Sequence, residues 1–169
     1  MNELYANQER LDKLVIKFSF EKLKLGDKII ISDNTENKIY FLRQGSMSFK
    51  YNGHESRAFK SGEMIFIPQN LDCCAVALTA VEMVVLKYDT SKCNQDGATI
   101  VEKSDNVCHD FNSLEIRGTI NDYLDLLCNY LNSDANCESL QKLKFEELLI
   151  IMQFYYTKEE LTCFFTQLI

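Results

Sequence analysis

The chain has 169 residues, of which 46% are hydrophobic and 25% charged, proportions typical of a soluble globular protein with one domain or one domain plus an appendage. Its formal net charge is −7 and its pI is near 4.9, which argues against direct binding to nucleic acid, because such surfaces need many Lys and Arg residues. The N-terminus lacks the apolar core of a secretion signal and no apolar run is long enough for a membrane helix, so we expect a cytoplasmic protein without membrane contact.

Residues 13–88 contain short runs of β-branched and aromatic residues that turn residues separate. In one run Met47, Phe49 and Tyr51 alternate with polar residues, so they share one face of a strand. Asn52 and Gly53 then form the dipeptide most typical of a hairpin turn. Seven or eight strands without helices between them predict a barrel or sandwich rather than a parallel sheet. The clearest predicted strands cover 14–20, 28–31, 38–44, 63–67 and 81–89, together with the alternating run at 45–59 that contains the hairpin turn.

After a polar stretch at 89–113, the apolar residues recur at helical spacing. The second predicted helix covers 138–154, with Leu143 and Tyr155 among its inward residues, and the third begins at a capping box formed by Thr157 and Glu160. The predicted fold class is therefore mainly β then α, with a β-barrel at 1–110 and about three α-helices at 111–169. The first helix carries a stripe that predicts either packing on the barrel or a dimer interface with a second copy: Ile120, Tyr123, Leu124, Leu127 and Leu131.

The seven cysteines include no C-x-x-C pair, which argues against a zinc ribbon and a secreted disulfide framework. We therefore predict reduced thiols. Cys73 and Cys74 are adjacent, so on a strand at most one of them faces the interior. Because no basic residue stands beside them to lower a thiol pKa, the sequence disfavours a redox sensor at this pair.

Gly62 and Pro68 bracket an apolar strand, and Cys73 follows the proline by five residues. This spacing resembles the second half of the cupin motif, G-x5-P-x-G-x2-H, whose His binds a metal. Asn70 stands at the position of the second Gly, and Cys73 stands at that of the His. The resemblance implies a cupin-like jelly-roll barrel. A catalytic metal needs about three converging ligands, and the chain has only two histidines, so the missing ligands lead us to expect no metal and no cofactor.

Gly62 and Glu63 also match the start of the phosphate-binding segment of cyclic-nucleotide-binding domains. In that family an Arg grips the phosphate some ten residues later. Asp72 occupies the corresponding position, and its negative charge would repel a phosphate. The sequence therefore disfavours a cyclic nucleotide as ligand.

A metal-free barrel followed by amphipathic helices resembles the N-terminal effector-binding and dimerisation region of AraC-type transcription regulators. The stretch KFEELLIIMQFYYTKEELTCFFTQLI at 144–169 resembles the linker helices that precede the helix-turn-helix domain in the Bacteroides-type branch of that family. The resemblance implies a small-molecule effector such as a sugar, a homodimer, and no nucleic-acid contact by this segment. DNA would be bound by a C-terminal domain that lies outside these 169 residues.

The interior of the predicted barrel supplies the candidate effector site. An apolar wall with few polar groups is typical of small-molecule pockets, although the same residues are equally consistent with a filled barrel. The chain shows no acid–base or nucleophile constellation, so we predict no catalytic residues and no enzyme. The alternatives are a small cupin-fold enzyme that works without the metal triad and a dimerisation domain that has lost its ligand. The candidate ligand-binding residues are Met47, Phe49, Tyr51, Phe66 and Cys73.

Overall fold

The structure is a computed structural model that describes residues 14–51, 54–69, 71–89 and 113–165. Strands occupy the first part of the described chain and helices the last part, as the sequence predicts. The hairpin turn predicted at Asn52 and Gly53 lies outside the described residues. The elements are β1 Val15–Leu23, β2 Lys28–Ile31, β3 Asn37–Gln44, β4 Ser46–Tyr51, β5 Arg57–Lys60, β6 Glu63–Ile67, β7 Cys73–Ala77, β8 Val81–Asp89, β9 Leu114–Glu115, α1 Gly118–Leu131, α2 Glu138–Tyr155 and α3 Lys158–Phe165.

The strands form two antiparallel sheets. We call the five-stranded sheet, with order β1-β8-β3-β6-β9, the helix-side sheet, and the four-stranded sheet, with order β2-β7-β4-β5, the outer sheet. Neighbours in each sheet are mostly distant in sequence because the chain crosses repeatedly from one sheet to the other. This order is that of a jelly roll, the double-sheet architecture that cupins share. The predicted fold class, a cupin-like double sheet followed by helices, is confirmed.

Two apolar layers lie on opposite faces of the helix-side sheet. The inter-sheet layer lies between the two sheets and includes Tyr40, Leu42, Ile65 and Ile67. The helix layer lies between the helix-side sheet and the helices. Since both faces of the helix-side sheet are buried, its central strands are continuous apolar runs, whereas the outer sheet buries one face and its strand β4 alternates.

The apolar stripe of α1 packs on the helix-side sheet. Ile120, Tyr123, Leu124 and Leu127 are buried in the helix layer, and Leu131 is partly buried against it. Of the two predictions for this stripe, packing on the barrel is therefore the one that the structure matches. The stripe is not available as a dimer interface, because these side chains are buried within their own chain.

Helix α2 has a different buried face from the predicted one. Phe145, Leu148 and Met152 are buried, whereas Leu143 and Tyr155 are 61% and 47% exposed. The inward assignment of Leu143 and Tyr155 is therefore wrong. Apolar residues occur around the whole circumference of α2, so their spacing alone does not select the face that meets the sheet.

Helix α3 begins at the predicted capping box. The Thr157 backbone N–H donates to Glu160 Oε2 at 2.7 Å, and the Glu160 N–H donates to Thr157 Oγ1 at 3.1 Å. Arg117, at the start of α1, donates to the same carboxylate at 2.7 Å and lies over the Tyr156 ring at 4.3 Å. These contacts join the beginnings of α1 and α3 at the edge of the helix layer. None of the described helices is long and apolar enough to span a bilayer.

Candidate functional site

Four of the five predicted ligand-binding residues lie together in the inter-sheet layer. Strands β4 and β7 bring them together, because Tyr51 pairs with Cys73 in the register of these two strands. Met47 and Phe49 continue along the same face of β4. Their exposed fractions are 0% for Met47, 1% for Phe49, 7% for Tyr51 and 6% for Cys73.

Phe66 does not join this group. It belongs to the helix layer, where its ring centroid lies 5.9 Å from that of Phe164 and 5.2 Å from that of Phe165. Side chains alternate across a strand, and in β6 it is Ile65 and Ile67 that face the other sheet. The prediction that Phe66 faces Met47, Phe49 and Tyr51 across the barrel is therefore wrong.

The central part of the inter-sheet layer is filled by side chains. The Phe49 ring packs edge-on against Tyr40 at 5.8 Å and against Phe59 at 5.6 Å, and Met47 is completely buried. Aromatic pairs at these distances are favourable packing contacts of a protein core. Met47 and Phe49 thus act as core residues here, and the end that carries Tyr51 and Cys73 is the part of this predicted site where a ligand would find polar partners.

Polar groups converge at that end of the sandwich, which we call the rim. Asn34 is only 4% exposed, and its side-chain amide donates to the Pro68 carbonyl at 2.9 Å. Its Oδ1 accepts hydrogen bonds from the Lys38 ammonium and, at 3.3 Å, from the Glu36 backbone N–H. Asn34 therefore fixes the loop after β2 to the end of β6 and positions a cation beside the interior.

Gln69 contributes a buried polar atom to the same loop region. Its backbone N–H donates to Asn37 Oδ1 at 2.8 Å, while its side-chain Oε1 is buried without a hydrogen-bond partner in the described part of the chain. A buried acceptor without a partner is costly, and it is the kind of group that a ligand donor can satisfy.

Sequence reasoning missed these polar residues, because 32–37 has the composition of an ordinary loop. One pattern could have identified Lys38. It lies two residues before Tyr40 in β3, so it points to the same face as that inter-sheet residue.

The Cys73 thiol stays protonated near neutral pH. Burial raises its pKa to about 11, and the nearby Cys74 and Asp72 also raise it while Lys38 opposes the rise. Cys74 is half-buried and points to the other face of β7. Because thiol reactivity depends on the thiolate, this environment disfavours redox sensing and nucleophilic catalysis at Cys73.

The described cysteines are not all in the same oxidation state. Cys73, Cys74, Cys128 and Cys137 are free thiols. Cys163 is disulfide-bonded. The prediction of reduced thiols is therefore wrong for Cys163 and holds for the other four.

Histidine and carboxylate side chains do not assemble a metal site in the described part of the chain. His54 stacks on the Tyr51 ring with the ring centroids 4.5 Å apart, and His109 lies outside the described residues. One face of the Tyr51 ring is therefore covered by the His54 imidazole. The chemistry that the described rim can offer is hydrogen bonding, positive charge and apolar contact.

No protein-family model matches the sequence, and no curated protein is significantly similar to it. Solved structures with similar coordinates include a cupin superfamily protein from Desulfitobacterium hafniense, with 9% identity and a TM-score of 0.41 over 44% of this chain and 67% of that one. A Cupin 2 conserved barrel domain protein from Salinispora arenicola has 18% identity and a TM-score of 0.42 over 46% of this chain and 66% of that one. Oxalate decarboxylase from Bacillus subtilis has 16% identity and a TM-score of 0.40 over 45% of this chain and 22% of that one. Any statement about function therefore depends on the residues of this chain.

Proposed function

We propose that this chain is the effector-sensing part of an AraC-type transcription regulator. In this proposal the metal-free jelly roll binds a small molecule at the rim, and a separate helix-turn-helix domain contacts DNA. The observation that carries the proposal is the convergence of buried or half-buried polar groups, Asn34, Lys38 and Gln69, beside the apolar residues Tyr51 and Cys73. An apolar surface with a few placed polar groups is typical of small-molecule sites.

The helix-side sheet offers a physical route from the rim to the helices. Ile67, in β6, lies in the inter-sheet layer, and the adjacent Phe66 packs against Phe164 and Phe165 of α3. A shift of β6 on ligand binding would therefore change the packing of α3 directly. Close-packed interfaces convert small shifts into changes between discrete arrangements, which is what a sensor requires.

Ligand binding can be tested by thermal-shift screening against sugars, aromatic acids and lipids. A ligand that binds only the folded state raises the melting temperature. We expect at least one class to do so, and we expect Cys73→Ser to weaken its binding. Cys74→Ser is the matched control, because Cys74 is adjacent but lies on the opposite face of β7. Equal weakening by both variants, or no stabilising compound, would contradict a site at the rim.

A homodimer remains part of the proposal, but it needs another surface than the α1 stripe. On α2, Leu143, Ile150 and Phe154 recur at spacings of seven and four residues, so they share one face. Their exposed fractions are 61%, 56% and 82%. We expect sedimentation analysis to show a dimer that Phe154→Ser weakens and that Leu126→Ser, a change of an exposed residue on α1, leaves intact. A wild-type monomer at high concentration would contradict this.

The regulator assignment has its own test. Residues 118–169 carry eight acidic and three basic side chains, a net charge of 3 − 8 = −5, so this chain should not bind DNA by itself. We expect no binding of duplex DNA by the isolated chain at moderate salt. A helix-turn-helix pair encoded in the reading frame beyond Ile169 would support the proposal, and a stop codon there would contradict it.

A further inference from the structure

Three lysines stand side by side on the helix-side sheet. Lys17 pairs with Lys87 in the register of β1 and β8, and Lys38 pairs with Lys87 in the register of β3 and β8. Directly paired residues point to the same face, with Cβ atoms about 5 Å apart. We call Lys17, Lys87 and Lys38 the lysine row.

The lysine row faces the space between the sheets at the rim. Lys38 and Lys87 each lie two residues from an inter-sheet residue on the same strand, Tyr40 and Val85 respectively, so they point to the same side. Both lysines are half-buried, and Lys17 is exposed at the edge strand β1. The Lys38 ammonium donates a hydrogen bond to Asn34 Oδ1, in the loop that follows strand β2 of the outer sheet, which places this ammonium beside the opposite sheet.

None of the three ammonium groups forms an ion pair with a carboxylate in the described part of the chain. Like charges directly opposite each other in a sheet are destabilising. Burial lowers the pKa of Lys38, and Lys87 lowers it further, while the nearby Glu36 opposes both. In a chain of net charge −7, three adjacent lysines that form no ion pair among the described residues are a local excess of positive charge, even with Glu36 near Lys38, and an anion would relieve it.

We infer that the lysine row binds the acidic group of a small organic anion, a carboxylate or a phosphate, whose apolar body lies against Tyr51 and Cys73. This inference rests on the proposed function, since it specifies the class of effector that the rim would take. Ammonium groups form short charge-assisted hydrogen bonds to carboxylate and phosphate oxygens. The hydrogen bond from Lys38 to the buried Asn34 holds one of these donors in place before the ligand arrives.

Calorimetric titration of the whole chain with benzoate, phenyl phosphate and neutral benzamide at low ionic strength tests the inference. We expect one or both anions to bind the wild type more tightly than benzamide. The double variant Lys38→Gln, Lys87→Gln should bind them at least about tenfold more weakly. Lys50→Gln is the matched control, because Lys50 lies on the exposed face of β4. Whichever of benzoate and phenyl phosphate binds more tightly identifies the preferred acidic group as a carboxylate or a phosphate.

The outcomes separate this inference from the proposed function. Anion binding that the double variant retains, or binding of benzamide or a sugar without binding of either anion, overturns the lysine row as the site and leaves a small-molecule domain. Binding of none of these compounds, nor of the lipids of the thermal-shift panel, contradicts both.

A second measurement needs no ligand. Because Lys87 lies between two other lysines, Lys87→Gln should raise the melting temperature of the ligand-free chain by about 1–3 °C, whereas Lys50→Gln should leave it unchanged. A lower melting temperature for Lys87→Gln would show that the row is not a repulsive cluster and would overturn the inference.

Discussion

The two apolar layers share the same strands but differ at their edges. At the edge of the helix layer the cations have partners: Arg117 pairs with Glu160, and Arg43 pairs with Asp125. At the rim of the inter-sheet layer the lysine row has no described ion-pair partner, and Gln69 Oε1 is buried without a described hydrogen bond. Where the polar groups at the edge of a layer are already paired, they stabilise the fold. Where such groups lack partners, a ligand that pairs with them can gain binding energy.

Removal of a large core side chain should affect both layers strongly and equally. Phe49 lies in the inter-sheet layer and Phe145 in the helix layer, and both are almost fully buried. We expect Phe49→Ala and Phe145→Ala each to lower the free energy of unfolding by about 3–5 kcal/mol in urea denaturation. Leu126→Ala, at a 45% exposed residue of α1, should cost less than about 0.5 kcal/mol. A large loss at Phe49 together with a negligible one at Phe145 would mean that the helices are not part of the same cooperative core.

Two glycines with the same backbone conformation test how closely the turns between strands are packed. Gly45 and Gly62 have φ of 84° and 90°, a region that disfavours other residues. A Cβ at Gly45 would lie 2.1 Å from the Ala80 carbonyl oxygen and 2.6 Å from Thr79 Oγ1, whereas a Cβ at Gly62 would meet nothing within 4 Å. Gly62→Ala should therefore cost about 1–2 kcal/mol from backbone strain alone. Gly45→Ala should cost roughly 3 kcal/mol or more, because the backbone must also move. Equal midpoints in urea for the two variants would contradict the close approach at Gly45.

The same difference between the sheets explains which residues the sequence could place. The outer sheet has one exposed face, so the alternation in β4 correctly put Met47, Phe49 and Tyr51 on one side. Strand β6 is buried on both faces, so its run of apolar residues carries no alternation, and Phe66 was assigned to the wrong side. The alternation of apolar and polar residues along a strand predicts which way each side chain points only where one face of the strand is polar.

Long-range register explains the rest. The lysine row depends on the pairing of β1 and β3 with β8, which lies about 50 to 70 residues away along the chain and is not encoded in any local spacing. Helix α2 shows the other limit. Its apolar residues surround the helix, so only packing against the sheet selects Phe145 and excludes Leu143.

Thiol alkylation compares a cysteine of the rim with one on the surface. The pKa of Cys73 is raised to about 11 from an ordinary value of 9.0, and thiolate is the reactive form. At mildly alkaline pH we expect the buried Cys73 to react with iodoacetamide at least about tenfold more slowly than the exposed Cys137, as measured by peptide mass spectrometry. Comparable rates would mean that the rim is open to solvent, and they would revive redox sensing at Cys73.

Protonation of Glu160 should loosen the paired edge of the helix layer. Hydrogen bonds from the Thr157 backbone N–H and from Arg117 lower the pKa of Glu160 below its ordinary value of 4.5. Because the folded-state pKa lies below the unfolded one, this stabilisation is complete above about pH 5 and is lost as the pH falls through the folded-state value.

Glu160→Gln, which removes the charge, should therefore lower the free energy of unfolding by about 0.5 kcal/mol near neutral pH and by much less below about pH 4. Its neighbour Glu159 is exposed and forms no described hydrogen bond or ion pair, so Glu159→Gln should change little at either pH. Urea denaturation at the two pH values measures both variants. A cost of Glu160→Gln that persists unchanged in acid would mean that the side chain acts through its shape rather than its charge. In that case the ion pair of Arg43 with Asp125 would be the remaining evidence that charges at the edge of the helix layer are paired while those at the rim are not.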